Sequence, residues 1–270
     1  MRKLIAFIAL VLLLCMSADA AKIIHTEVYS KANKKKLPVA YVLPDAYETN
    51  KSERFTAMYA LNGLNSDTKI MFTFMSDIIT GSSDEHNFIW VIPDNGMDSW
   101  YLDRPGKMYE TFCGKEIVEY TDKHYRTKAD RLHRILVGGS MGGHGALLLA
   151  CLNPEEFKIV GSLAGVVDLR TRPSFLTIDF GKTKPDSVSA LGNIPLLKKY
   201  NFALYQDIGI HDGLYDMNLK FHNELKKEGI DHVYIEREGQ HDAPYWREAW
   251  KGFLNFAFNT LAKLEAEENK

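Results

Sequence analysis

The sequence predicts an α/β fold in which one mostly parallel sheet carries helices on both faces. Three observations support it. Short apolar strand runs alternate with helical stretches along the chain. The run Arg134-Ile135-Leu136-Val137 leads into Gly138-Gly139-Ser140-Met141-Gly142, and residues 145–150 then read as a helix. A loop with a histidine lies between the final strand and the final helix.

Each element has its own signal. Residues 23–29 and 37–43 read as an antiparallel pair, with Lys34-Lys35-Lys36 at the hairpin tip and not on a polyanion surface. Residues 55–61 form a buried strand that ends in Asn62-Gly63. Residues 68–80 have helical apolar spacing, with Ile70, Phe74 and Ile78 on one face. Residues 88–93 are the next strand, and 110–125 are mostly helical. After the Ser140 turn come strands over 159–163, 202–207 and 232–236, with helices between them and a last helix over 245–264. Residues 166–200, with Pro173, Pro185 and Pro195, break the alternation and are expected to form a cap or pocket wall. The charged tail 265–270 is expected to fray.

A chain of 270 residues suits one α/β domain with a sizeable core. The formal charge of −2 and the lack of a basic stripe exclude a general nucleic-acid binder. Arg2 and Lys3, the apolar run 4–15 and Ala18-Asp19-Ala20 read as a signal peptide over residues 1–20. The mature domain is therefore expected at 21–270, exported to the periplasm or beyond. Leu12-Leu13-Leu14 before Cys15 lacks the small residue that lipoprotein processing needs, so no lipid anchor is expected there. No other stretch is apolar enough to span a bilayer, so the protein is not expected to be integral to a membrane. Cys113 and Cys151 are expected as two free thiols in preference to a disulfide. No CxxC, HExxH or His/Cys cluster is present, so neither a metal nor a cofactor is expected.

Ser140 sits in a G-x-S-x-G turn between strand and helix. Such a turn strains the serine backbone and pushes its Oγ outward, with glycines two before and two after for steric reasons. The chemistry it points to is acyl transfer through an acyl-serine. A general base and an acid should then follow later strands, in the order acid then histidine. Of nine histidines, only His241 follows the last strand. His25 and His232 lie on strands, and His222 on a helix exterior. His86, His124 and His133 are in earlier connections, and His144 is read as packing the serine turn. Asp207, Asp212 and Asp216 are candidates for the acid. Asp212 is preferred because it falls in the loop at the strand's carboxyl end, whereas Asp207 is still within the strand and Asp216 is one turn into a helix.

His241 would take the serine proton and return it to the leaving group, and Asp212 would fix the imidazole tautomer. The oxyanion would be held by the backbone N–H of Met141, at the positive end of the helix, and of Leu64, after Asn62-Gly63. Gly63 is expected to permit close approach there. Trp100, Tyr101 and Tyr109 are candidates for an aromatic wall that binds a sugar or phenolic ring, ordinary loop packing being the equal alternative.

These motifs resemble the esterase D-like group of α/β-hydrolases, which includes S-formylglutathione hydrolases, tributyrin esterases and feruloyl and acetyl xylan esterases. The residues that carry the resemblance are Gly139 to Leu147, Asp207 to Asp212 with Leu214, Tyr215 and Asn218, and Gly239 to Asp242 with Trp246. Ser99-Trp100-Tyr101 and Tyr109-Glu110 are similar to the secreted members. The chain departs from the group at Asn62, where many relatives have histidine or serine, and in 166–200, where no motif transfers. The resemblance implies an α/β-hydrolase fold and a secreted serine carboxylesterase for acetyl- or feruloyl-type esters, small or linked to polysaccharide. The alternatives are an acyltransferase or a thioesterase with the same triad.

Overall fold

The computed structural model describes residues 21–171 and 185–270. The expected signal peptide and the middle of the expected cap lie outside them. In chain order the strands are β1 (Lys22–Ser30), β2 (Lys35–Leu43), β3 (Thr56–Leu61), β4 (Phe88–Pro93), a small hairpin of β5 (Asp103–Arg104) and β6 (Lys107–Met108), β7 (Arg134–Gly139), β8 (Ile159–Leu163), β9 (Ala203–Gly209) and β10 (His232–Arg237). The main helices are α1 (Thr68–His86), α2 (Ile117–His124), α3 (Met141–Leu152), α4 (Ile194–Tyr200), α5 (Tyr215–Lys227) and α6 (Ala243–Glu268).

Eight strands form one sheet in the order β1-β2-β4-β3-β7-β8-β9-β10. β1 and β2 are an antiparallel hairpin, β2 joins β4 antiparallel, and every pairing from β4 to β10 is parallel. The chain turns back on itself at Lys34, and Lys35 and Lys36 already belong to β2. Every residue of β3, β4 and β8 is buried. That is why these strands read as continuous apolar runs and not as alternations. Along the chain, β3 to β4 steps one way across the sheet, and β7 then falls on the other side of β3. A crevice opens at the carboxyl ends of strands where the order reverses in this way. Leu61 at the end of β3 pairs with Gly138 at the end of β7, so the segments that follow these strands are neighbours.

Two sequence expectations need correction, the buried stripe of α1 and the frayed tail. The core-facing stripe of α1 is Met71, Met75, Ile78 and Ile79, whereas Ile70 and Phe74 are exposed. The stretch expected to be mostly helical over 110–125 is helical from Tyr109 to His124 and contains a π-helical turn, Phe112–Glu116, in which Phe112 and Cys113 are buried in the core. The tail does not fray at 265, because α6 runs to Glu268 and Glu265 accepts from Lys128 Nζ at 3.0 Å and faces His133 Nε2 at 2.9 Å. Within 166–200, the described parts bury Leu169, Val188, Ala190, Ile194 and Leu197 against the body of the domain. Cys113 and Cys151 are free and buried, and burial pushes both thiols up, Cys151 to about 12. Among the described residues no helix is long and apolar enough to cross a membrane.

The ends of β9 and β10 are fixed by a buried ion pair. Asp207, fully buried, accepts from Arg237 Nε at 2.9 Å, Tyr205 OH at 2.9 Å and Tyr245 OH at 3.1 Å. Beyond it, Ile210 N–H donates to the Arg237 carbonyl and His211 N–H to the Gly239 carbonyl. A Cβ on Gly209 would lie 2.5 Å from the Gly239 oxygen, so only glycine lets the two loops meet. Asp207→Ala would strand the Arg237 guanidinium and two hydroxyls. A loss of about 3 kcal/mol is expected, which lowers Tm by roughly 6–12 °C for a domain of this size. Calorimetry that finds an unchanged Tm would contradict this role.

Candidate active site

Ser140 joins β7 to α3 with φ 56° and ψ −117°, outside the regions a side chain ordinarily allows. Its backbone is held from both sides. The Ser140 N–H donates to the Leu163 carbonyl at 2.9 Å, and its carbonyl accepts from His144 and Val166 N–H, each at 3.2 Å. The neighbouring glycines are required. A Cβ on Gly138 would sit 2.3 Å from the Gly142 backbone, and one on Gly142 would sit 2.1 Å from the Leu61 oxygen. The turn thus presses against the end of β3, and this brings Asn62-Gly63-Leu64 beside the serine.

The structure brings Ser140, His241 and Asp212 together. His241 Nε2 lies 3.0 Å from Ser140 Oγ, and its Nδ1 lies 2.6 Å from Asp212 Oδ2. The Asp212 side chain is 1% exposed and that of His241 39%. The carboxylate is therefore dry, while the imidazole reaches solvent. Asp212 Oδ1 accepts from Leu214 N–H at 2.8 Å, which fixes the carboxylate plane. His241 follows β10, and the Trp246 ring meets it edge to face at 4.8 Å. Of the other acid candidates, Asp207 is consumed by Arg237 and two tyrosines, and Asp216 is exposed in the first turn of α5. His144 is fully buried under the turn, where desolvation pulls its pKa down to about 3, so it stays neutral. His222 does not simply face outward: its Nδ1 meets His232 Nε2 at 2.7 Å.

Met141 is the first residue of α3, so its N–H has no partner within the helix. Leu64 and Gly63 line the same groove as Ser140 and His241. Gly63 is not needed for close approach: a Cβ there would make ordinary contacts at 3.6 Å to the Gly139 oxygen and 3.7 Å to Ser140 Cβ. A side chain at 63 would instead lean on the serine.

Trp100, Tyr101 and Tyr109 do not form a ligand wall. All three are buried beneath the site, and none lines the groove. Trp100 packs edge on against His144, and Tyr109 lies against Gly96. Tyr101 has a different task. Its hydroxyl donates to the Asn62 carbonyl at 2.9 Å, and Asn95 Nδ2 donates to the Asn62 and Gly63 carbonyls at 2.9 and 3.2 Å. Burial raises the Tyr101 pKa well above its ordinary value, so the donor is always protonated. Trp100 and Tyr101 both have positive φ, 53° and 55°, a strain that the surrounding bonds must hold. The strand-end backbone next to the serine is thus propped by Tyr101 and Asn95, a role with no sequence motif.

The groove itself holds about 340 Å3. α1 contributes Ile70, Met71, Phe74 and Met75, and α6 contributes Trp246 and Trp250. Among the described residues, its titratable lining is His241 and Asp242 alone. No group of three or more His, Cys, Asp or Glu among the described residues could hold a metal ion. A strained serine, a base within reach of it and an acid behind the base can carry out acyl transfer at an uncharged carbonyl.

The chain is similar to several known esterases and hydrolases. The chain is 27% identical over 270 residues to an acetyl esterase of Caldicellulosiruptor saccharolyticus, covering 90% of this chain and 98% of that protein. It superposes on a ferulic acid esterase with a TM-score of 0.76 at 25% identity, over 88% of this chain and 98% of the other. The S-formylglutathione hydrolase of Staphylococcus aureus superposes with a TM-score of 0.75 at 20% identity, over 88% and 99% of the two chains, a likeness of fold. The esterase family model matches residues 30–255. The chain therefore belongs to the esterase family of the α/β-hydrolase fold, the esterase D-like group, and is a carboxylic ester hydrolase.

Proposed function

We propose that the protein is an exported serine carboxylesterase for short-chain acyl or hydroxycinnamoyl esters, acetyl and feruloyl groups on plant polysaccharides among them. The observation that carries the reading is the linear set of contacts from Ser140 Oγ to His241 Nε2 at 3.0 Å and from His241 Nδ1 to Asp212 Oδ2 at 2.6 Å. The expected export signal over 1–20 favours esters met outside the cytoplasm. The acetyl esterase and the ferulic acid esterase similar to this chain support the substrate class.

In the mechanism, neutral His241 takes the Ser140 proton as Oγ attacks the ester carbonyl. Asp212 holds Nδ1–H and stabilises the imidazolium that forms. The negative charge on the carbonyl oxygen faces the N–H groups of Met141 and Leu64. His241 then gives its proton to the departing alcohol. Water enters over the exposed imidazole and attacks the acyl carbonyl as it loses a proton to Nε2; the bond to Ser140 Oγ then breaks, His241 returns that proton to Oγ, and the acid leaves.

The substrate class is tested with p-nitrophenyl acetate, p-nitrophenyl butyrate, methyl ferulate and acetylated xylan. Turnover on these that vanishes with Ser140→Ala supports the reading, whereas Ser140-independent turnover contradicts it. The Ser140→Ala loss is expected at about 10⁴ to 10⁶ in kcat. Asp212→Asn is expected to cost about 10⁴ through the wrong tautomer, and Asp216→Asn should cost little. The reverse order would move the acid to Asp216.

Tyr101→Phe removes one of the two donors that hold the Asn62 carbonyl. A drop of about tenfold in kcat with KM little changed is expected. An unchanged kcat would mean that the Asn95 amide suffices to position the loop.

A further inference from the structure

The groove beside Ser140 has two helical walls. Phe74 on α1 is 54% exposed and Ile70 is 38% exposed, and both face the same opening as Trp246 on α6. Clustered apolar surface of this kind marks a place where a ligand sits. At this end of the groove the helices are tied by Arg247, the residue after Trp246. Its Nη1 donates to the Phe74 carbonyl at 2.8 Å and to Asp77 Oδ1 at 2.9 Å, and its Nη2 donates to Asp77 Oδ2. At the other end of α1, His86 stacks on Phe258 with ring centroids 4.1 Å apart. Among the described residues the Arg247 bonds are the polar link between α1 and α6, and they fall at the groove.

Resting on the esterase reading above, we propose that this groove receives the acyl group of the ester. The Asp77–Arg247 clamp sets the groove's width and hence the largest acyl group admitted. The acyl half is chosen because of what each half must do. Met75 and Trp250 are the part of the lining withdrawn from solvent, both buried. An alcohol lodged there could leave only past the carbonyl, and it would block water. The His241 flank is open, so the alcohol leaves and water enters on that side. The acyl group alone stays bonded to Ser140 through both steps. The described lining carries no lysine or arginine, so the acyl group is uncharged. A bidentate guanidinium–carboxylate pair fixes geometry better than a single contact. Arg247 holds the Asp77 carboxyl down to about 2, so the clamp stays made across the pH range of an ester assay.

The test compares wild-type, Arg247→Ala and the exchanged pair Asp77→Arg with Arg247→Asp on p-nitrophenyl esters from acetyl to octanoyl. Arg247→Ala is expected to raise the octanoyl-to-acetyl ratio of kcat/KM by about fivefold or more, with the change carried by KM. The exchanged pair is expected to move the ratio back towards wild-type. A common factor across the whole series, or an unchanged ratio, overturns the clamp. Folding is not at risk, because an exposed pair of this kind adds little to stability. A second measurement is independent of turnover. Methyl butyrate titrated into Ser140→Ala should change the fluorescence of Trp246 and Trp250, and Arg247→Ala in that background should lower the midpoint for methyl octanoate. No saturable change would overturn the groove as the acyl site even if the protein proves to be an active esterase. Saturable binding without wild-type turnover would keep the groove and sink the esterase reading instead.

Discussion

The site depends on the backbone of one residue. Ser140 is held at a positive φ that costs on the order of 1–3 kcal/mol for a residue with a side chain. That strain persists because the turn is fixed from outside. The Leu163 carbonyl takes its N–H, His144 and Val166 donate to its carbonyl, and Gly138 and Gly142 close the space around it. The same closeness that demands glycine at 142 places the end of β3 against the turn. One constraint therefore positions both the hydroxyl and the neighbouring Asn62-Gly63-Leu64 backbone.

The other two members of the site arrive by a separate route. β9 and β10 are locked by Asp207 and Arg237, and the loops beyond them meet at Gly209 and Gly239. Asp212 and His241 leave this junction side by side. Two carboxylates near the end of one strand divide the work. Asp207 is saturated by a guanidinium and two hydroxyls, and Asp212 keeps one oxygen for the imidazole. A buried charge needs partners of this kind, so the pattern of partners separates a structural acid from a reactive one.

The sheet and the meeting of Ser140, Asp212 and His241 were legible in the sequence because each rests on local rules. Parallel buried strands are continuous apolar runs, the serine turn has a glycine signature, and the acid and histidine follow named strands. What was not legible depends on tertiary contact. Ile70 and Phe74 fit a helical stripe as well as Met71, Met75 and Ile79 do, and periodicity does not say which stripe meets protein and which meets a groove. Trp100, Tyr101 and Tyr109 look like ligand-binding aromatics, yet burial turns one of them into a prop for a backbone carbonyl. Glu265 reads in sequence as part of a frayed tail, yet Lys128 and His133 lie beside it. The Asp77–Arg247 clamp joins residues 170 apart in the chain, a distance over which no motif reports.

The central claim is that Ser140 Oγ carries the acyl group between two half-reactions. Rapid acid quench during turnover of p-nitrophenyl butyrate, followed by peptide mass analysis, tests it most directly. The account predicts a butyryl adduct on the peptide that contains Ser140, formed in step with a burst of p-nitrophenol and absent from Ser140→Ala. Product release at an unchanged rate with no adduct, or an adduct on another residue, would contradict it.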